Sequence, residues 1–215
     1  MAKRPNSPTA TDAQVVALLD RYQCPVPFHE VRARLLGNIA SPSSTSPIET
    51  VKSLWGGELP PFDSIDEANE LIGALVMGLW NRLTRHQERS DPFRLKRVQA
   101  RANREEIMSL ATMRRQELDG FAEGLFGDAE ELDLSERAVD AMTVLSTLRA
   151  MFGAIEEVTG DPTKSASEKD FAETLDRMRE MTLTAEKSIH AVVLACKRAR
   201  ASDFSEVHAK RTTLH

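Results

Sequence analysis

Five histidines and two cysteines are the side chains that catalysis or metal binding would draw on first. His29-Glu30 opens like the helical metalloprotease pattern, in which two histidines on one helix face hold a metal beside a glutamate base. The second histidine would fall where Ala33 stands, so the motif is absent. Cys24 and His29 are near enough in sequence to suggest a thiol–imidazole pair. A structural thiol beside the Pro25 turn is the plainer reading. His86, His190, His208 and His215 have no partner cluster. Glu105-Glu106 and Glu130-Glu131 have the form of acid–base pairs, yet solvated helix faces explain them better. Gly73 and Gly78 fall within a helical pattern, which excludes a phosphate-cradling loop. Neither a nucleophile motif nor a dinucleotide fingerprint occurs, and the sequence predicts no catalytic residue, cofactor or metal.

One charged stretch offers a different chemistry. Arg82–Arg115 holds ten Arg or Lys against four acids. No glycine or proline interrupts Phe93–Asp119, so this region is expected to be mostly helical. A helix carrying Arg94, Lys96, Arg97, Arg101 and Arg104 would be placed to track a phosphate backbone. The competing reading is internal, because Glu117–Asp140 holds nine acids against Arg137 alone. The two segments would then pack as charge-complementary helices. No aromatic interleaving supports base stacking.

The elements that must position these residues are helical throughout. Thr11 and Gln14 form a capping box ahead of Val15, Leu18 and Leu19. Cys24-Pro25-Val26-Pro27 ends that helix, and a second follows from about Phe28 to Ile39. Ser46-Pro47-Ile48-Glu49 signals a short helix that stops at Gly56-Gly57, where glycine accepts a left-handed conformation. Pro60-Pro61-Phe62 marks a turn, and Ser64–Glu67 is a further capping box. The helix behind it carries Leu71, Leu75, Leu79 and Leu83, with Met77 and Trp80 widening its apolar stripe. Gly73 and Gly78 lower its helix propensity, which a close helix crossing there would offset. Ser135 starts a helix with Val139, Met142, Leu145, Leu148, Met151 and Phe152 directed inward. Beyond Pro162 a heptad-like seam runs from Phe171 to Ala199. It is weak at Thr182 and Ala185, which leaves one long helix or a pair broken near Met181.

These signals predict an all-α fold, a bundle of about 6–8 helices. The expected organisation is a disordered tail at 1–10, a helical domain at 11–160, a C-terminal segment at 161–202 packing on it, and a frayed tail at 203–215. With 215 residues, 41% hydrophobic and 28% charged, the chain has the balance of a soluble protein. The N-terminus lacks the apolar run of a signal peptide. The most apolar stretch, Leu71–Leu83, is well short of the roughly 20 residues a membrane span needs. Two distant cysteines fit a reducing compartment, so the expected location is cytoplasmic.

Leu35-Leu36-x-x-Ile39-Ala40-Ser41-Pro42, Leu54-Trp55-Gly56-Gly57, Pro61-Phe62 and Asp66-Glu67-Ala68 together resemble the N-terminal helical domain of the YecA/YgfB-like family. Arg115–Leu125, with Gly120-Phe121-x-x-Gly124, resembles a second block of that family. The likeness spans about residues 12–155 and extends toward Cys196. Leu118-Asp119 stand where members often carry Trp-Cys, and no cysteine follows Cys196. The zinc-binding tail of some members is therefore not implied. What the resemblance implies is an all-helical fold in a family with regulatory or adaptor roles rather than catalytic ones.

The function expected is that of a non-enzymatic adaptor or regulator acting through an unidentified protein partner. Its candidate surface is Trp55, Glu58, Pro60, Pro61 and Phe62, together with the C-terminal helix, through which a homodimer is also conceivable. Nucleic-acid binding through Arg94–Arg104 is the alternative, and an enzyme of unknown type the remote one.

Overall fold

A computed structural model describes residues 10–43, 46–127 and 129–212, with side chains as far as 201. The expectation for 1–9 lies outside the described residues. Among these residues there are helices and no strands: α1 Asp12–Arg21, α2 Phe28–Ala40, α3 Pro47–Ser53, α4 Ile65–Ile72, α5 Asn81–Leu83, α6 Arg104–Phe126, α7 Glu136–Gly160 and α8 Glu168–Thr212. A π-helical stretch, Gly73–Trp80, joins α4 to α5, and a 3-10 turn, Thr84–Gln87, follows. The fold is all-α, as the pattern of caps and apolar stripes predicts.

The centre of the bundle is the crossing of α2 with α6, which sequence alone placed elsewhere. Gly37 in α2 and Gly124 in α6 each lack a Cβ where the other helix's backbone lies. A Cβ on Gly37 would stand 2.7 Å from the Leu125 amide nitrogen and overlap the Phe121 carbonyl. One on Gly124 would overlap the Arg34 carbonyl, and one on Gly120 would stand 2.8 Å from that of Glu30. Only glycine permits so close a backbone approach. Gly73, by contrast, faces open space, and Gly78 meets only Ala10. The close crossing expected at Gly73 and Gly78 is thus made by Gly37, Gly120 and Gly124.

The π stretch has a cause in residue spacing. Leu71, Leu75, Leu79 and Leu83 recur every four residues, and all four are buried. At 3.6 residues per turn such a row drifts around the helix, and the wider π turn removes the drift. Met77, expected to widen the buried stripe, is 68% exposed as a result. Val139 and Met151, also expected inside, face outward on α7.

The basic region is the main departure from expectation. Residues 91–103 form no helix, and α6 begins only at Arg104. Pro92 cannot continue a helix, and the residues beyond it alternate: Phe93 and Leu95 are buried, Arg94 and Lys96 exposed. This extended strap has no sheet to join, so charged side chains satisfy its backbone. Glu186 accepts the Leu95 amide at 3.1 Å, and Glu117 accepts that of Lys96 at 2.7 Å. Arg114 donates to the Lys96 carbonyl at 2.7 Å.

The C-terminal segment is one helix, not a pair, and the backbone of 203–212 continues it. Its seam is internal. Leu175, Met178, Ala185, Ile189, Val192 and Cys196 are buried in the same apolar core as α2, α6 and α7, and Thr182 is buried among them. The weak middle is bridged by polar contacts: the Thr182 hydroxyl donates to the Met178 carbonyl at 2.7 Å and accepts from Arg114 Nε at 3.2 Å.

Candidate protein-interaction surfaces

His29 and Cys24 are engaged in structural contacts, and the side chains of His208 and His215 lie outside the described residues. His29 Nε2 lies 2.9 Å from Gln116 Oε1, and burial lowers the imidazole pKa. Cys24 Sγ is directed at the Leu54 carbonyl, 3.8 Å away, and burial raises its thiol pKa. They do not form a thiolate pair. Burial raises the Cys196 thiol as well. Asn103 caps the first turn of α6 by accepting the Glu106 amide at 2.9 Å, and the Glu106 carboxylate accepts the Arg101 amide and guanidinium, which hold it below the usual range. No group of three His, Cys, Asp or Glu is arranged for a metal among the described residues.

The basic candidates are brought together only in part. Arg94 and Arg97 reach Glu186 at 2.7 Å and 3.5 Å, and Arg101 pairs with Glu106. Arg104 turns inward at the start of α6 and donates to the carbonyls of Thr159, Asp161 and Lys164. Lys96 is exposed. The helical track of cations pictured from sequence does not exist. Among the described residues the acidic segment supplies only Glu117 to this strap; the larger share comes from Glu186 on α8, 91 residues from Leu95 in sequence.

The proline turn is pinned by its own aromatics. The indole of Trp55 donates to the Tyr22 carbonyl at 2.9 Å. Phe62 meets the Tyr22 ring edge-on, with centroids 5.2 Å apart. Trp55 and Phe62 are half-buried, Pro60 is buried, and only Glu58 and Pro61 stand fully out. Gly56 and Gly57 have φ of 81° and 109°, which lets the Gly57 amide return to the Lys52 carbonyl at 3.0 Å. The rare residues gathered there fasten α3 to the end of α1 and leave a small polar tip.

A wide concave surface lies elsewhere, between α6 and α7. These helices run antiparallel, tied by Arg115 to Glu156 at 2.7 Å and by Arg149 to Asp119. Toward the end of α6 they enclose a cleft of about 630 Å³. Leu118, Phe121 and Leu145 are its buried floor, and Ala122, Phe126, Met142 and Ser146 its walls. Residues 130–134 close one end, with Leu132 and Leu134 turned to the core and Glu130 and Glu131 on the border. Glu130, Glu131, Asp133, Glu136 and Asp140 are all exposed, and none makes an ion pair among the described residues.

The outer face of α7 continues this apolar character. From Ala141 to Ile155 its only charge is Arg149, which Asp119 holds. Val139, Val144, Met151 and Val158 are between 39% and 48% exposed. Among the described residues α7, rather than Leu71–Leu83, is the helix long and apolar enough by length and composition to cross a membrane. Its Ala138, Ala141, Leu145, Leu148 and Phe152 are buried in the bundle. The signal that would have found this surface is the near absence of charge over those fifteen residues, which a reading focused on inward periodicity passes over.

A second, polar cleft of about 430 Å³ lies between α2, α3 and the end of α6. Asn38 Oδ1, Thr50 Oγ1 and Arg34 Nε are buried around it without a hydrogen-bond partner.

Comparison of the chain with protein-family models, curated proteins and solved structures gave no match.

Proposed function

We propose that the protein is a non-enzymatic helical adaptor or regulator that works through protein–protein contacts, with the α6–α7 cleft as its principal docking surface. The observation that carries this reading is the open apolar cleft on a helix whose stretch Ala141–Ile155 has Arg149 as its sole charge. Large apolar surfaces rimmed by polar groups mark interaction sites in soluble proteins. His29 and Glu117, whose pKa values are shifted, lie outside the cleft, and Arg149 within it is raised by its hydrogen bond to Asp119; none of these supplies a general acid or base there, which favours binding over catalysis. The resemblance to the YecA/YgfB-like family points the same way. Free Cys24 and Cys196 suit a cytoplasmic setting.

The test is capture of proteins from a cell lysate by the immobilised chain. A discrete set of proteins should be retained, lost with Ser146→Arg in the cleft, and kept with Pro61→Ala in the proline turn. Capture that Ser146→Arg leaves unchanged would overturn the assignment of the cleft.

A further inference from the structure

We infer that the occupant of the α6–α7 cleft is a short cationic amphipathic helix belonging to a different protein, an inference that rests on the adaptor reading above. The form of the cleft argues for a helix. Its walls are two antiparallel helices that present side chains at Ala122 and Phe126 on one side and Val139, Met142 and Ser146 on the other. Rows at spacings of three and four make a groove that receives the ridge of a third helix. From Val139 to Arg149 the lined wall spans eleven residues, about 15 Å, or nearly three turns of a partner helix. A peptide docking by strand addition would need a free sheet edge, and among the described residues there is no strand to provide one.

Charge argues for a basic partner. Glu130 and Glu131 line the border, and three further exposed acids, Asp133, Glu136 and Asp140, stand in the adjoining segment and the first turns of α7, against Arg137 alone. The cation inside the cleft, Arg149, is held by Asp119. An apolar floor with a one-signed, unpaired acidic border fits a helix with leucine-like residues on one face and Lys or Arg flanking them. A second copy of this chain would bring the same acidic border with it, on a molecule whose net charge is already −5. An anionic lipid surface or nucleic acid meets the same repulsion.

The experiment uses synthetic peptides of about 18 residues, long enough for five helical turns. One has Leu at helical spacing with Lys elsewhere, a second replaces every Lys with Glu, and a third scrambles the Leu/Lys order. Affinity for the full chain is measured by titration at low and at high salt. The Leu/Lys helix should bind about tenfold or more tightly than either control, and weaken as salt rises. Ser146→Arg and the surface pair Glu130→Gln/Glu131→Gln should each reduce that affinity by about tenfold, equivalent to one order in Kd. Equal binding of the scrambled peptide, indifference to both variants, or sedimentation showing a dimer that Ser146→Arg dissociates would overturn the proposal. If lysate capture still depends on Ser146 while the peptides show no preference, the partner class fails and the adaptor reading stands. If Ser146→Arg changes neither, both fail.

Discussion

Gly37 rests directly against the backbone carbonyl of Phe121, and no side chain of any size fits between them. The relationship sets the α2–α6 distance on which the rest of the bundle is laid. Gly37→Ala or Gly124→Ala must therefore push two backbones apart, and each should destabilise the fold by about 3 kcal/mol or more. Gly73→Ala has open space and a helical φ, so it should stabilise by up to about 1 kcal/mol. Urea unfolding of the three variants checks the contrast, and similar losses at all three would refute it.

The strap at residues 91–103 depends on buried carboxylates in place of a sheet. Glu186→Ala leaves the buried Leu95 amide without an acceptor, a loss of about 2 kcal/mol. Glu186→Gln keeps a carbonyl oxygen there and should lose less than half as much. Glu117→Ala is harsher, because it strands the buried Arg114 guanidinium; removing one partner of such a pair costs roughly 3–5 kcal/mol. Equal effects of Ala and Gln at position 186 would mean that the backbone bond is not what matters.

His29 and His190 both have imidazole pKa values lowered by burial, with Lys96 and Arg114 adding to the effect at His29 and His86 and Arg94 at His190. The unfolded chain therefore binds protons first as pH falls through about 6.5. Stability is present above that pH and declines below it. The lowered carboxyls of Glu106, Glu156, Asp161 and Asp170 act later, as pH falls below about 4.5. Thermal unfolding between pH 7 and pH 5, about the range where histidine titrates, should show the decline, and His29→Gln should flatten it. An unchanged slope in that variant would remove His29 from the account.

Trp55 is tied to α1 through its indole N–H. Trp55→Phe keeps the ring and loses the bond to the Tyr22 carbonyl, and should destabilise by about 1 kcal/mol. Lysate capture should survive this change. Loss of capture with an unchanged fold would return the docking surface to the proline turn.

Much of the fold was readable because local signals agree with it. The Thr11–Gln14 capping box forms as written, Gly56 and Gly57 adopt positive φ where the helix must stop, and the seam of α8 is buried from Leu175 to Cys196. Ser46 is an N-cap in backbone geometry, with Pro47 in the first turn, although its hydroxyl makes no capping bond. The strap and the glycine crossing were missed for one cause, since both depend on partners distant in sequence. The strap is extended because Glu117 and Glu186 satisfy its backbone, and the absence of glycine beyond Pro92 could not reveal that. Its alternation of Phe93, Arg94, Leu95 and Lys96 was the available clue. Likewise the four-residue spacing of Leu71, Leu75, Leu79 and Leu83 marks the π turn. Gly37 offers no local hint that Gly124 lies opposite it. The cleft was least legible, because it is defined by what α6 and α7 fail to bury.

The central claim is that partners dock in the α6–α7 cleft, and a photo-crosslinking residue placed at Ser146 tests it most directly. Illumination in cells should yield discrete covalent adducts from Ser146 and none of the same from Asp176, an exposed position on α8 away from the cleft. The adducts at Ser146 should disappear when Glu130 and Glu131 are both changed to Lys. Identical adducts from the two positions, or none from Ser146, would contradict the account.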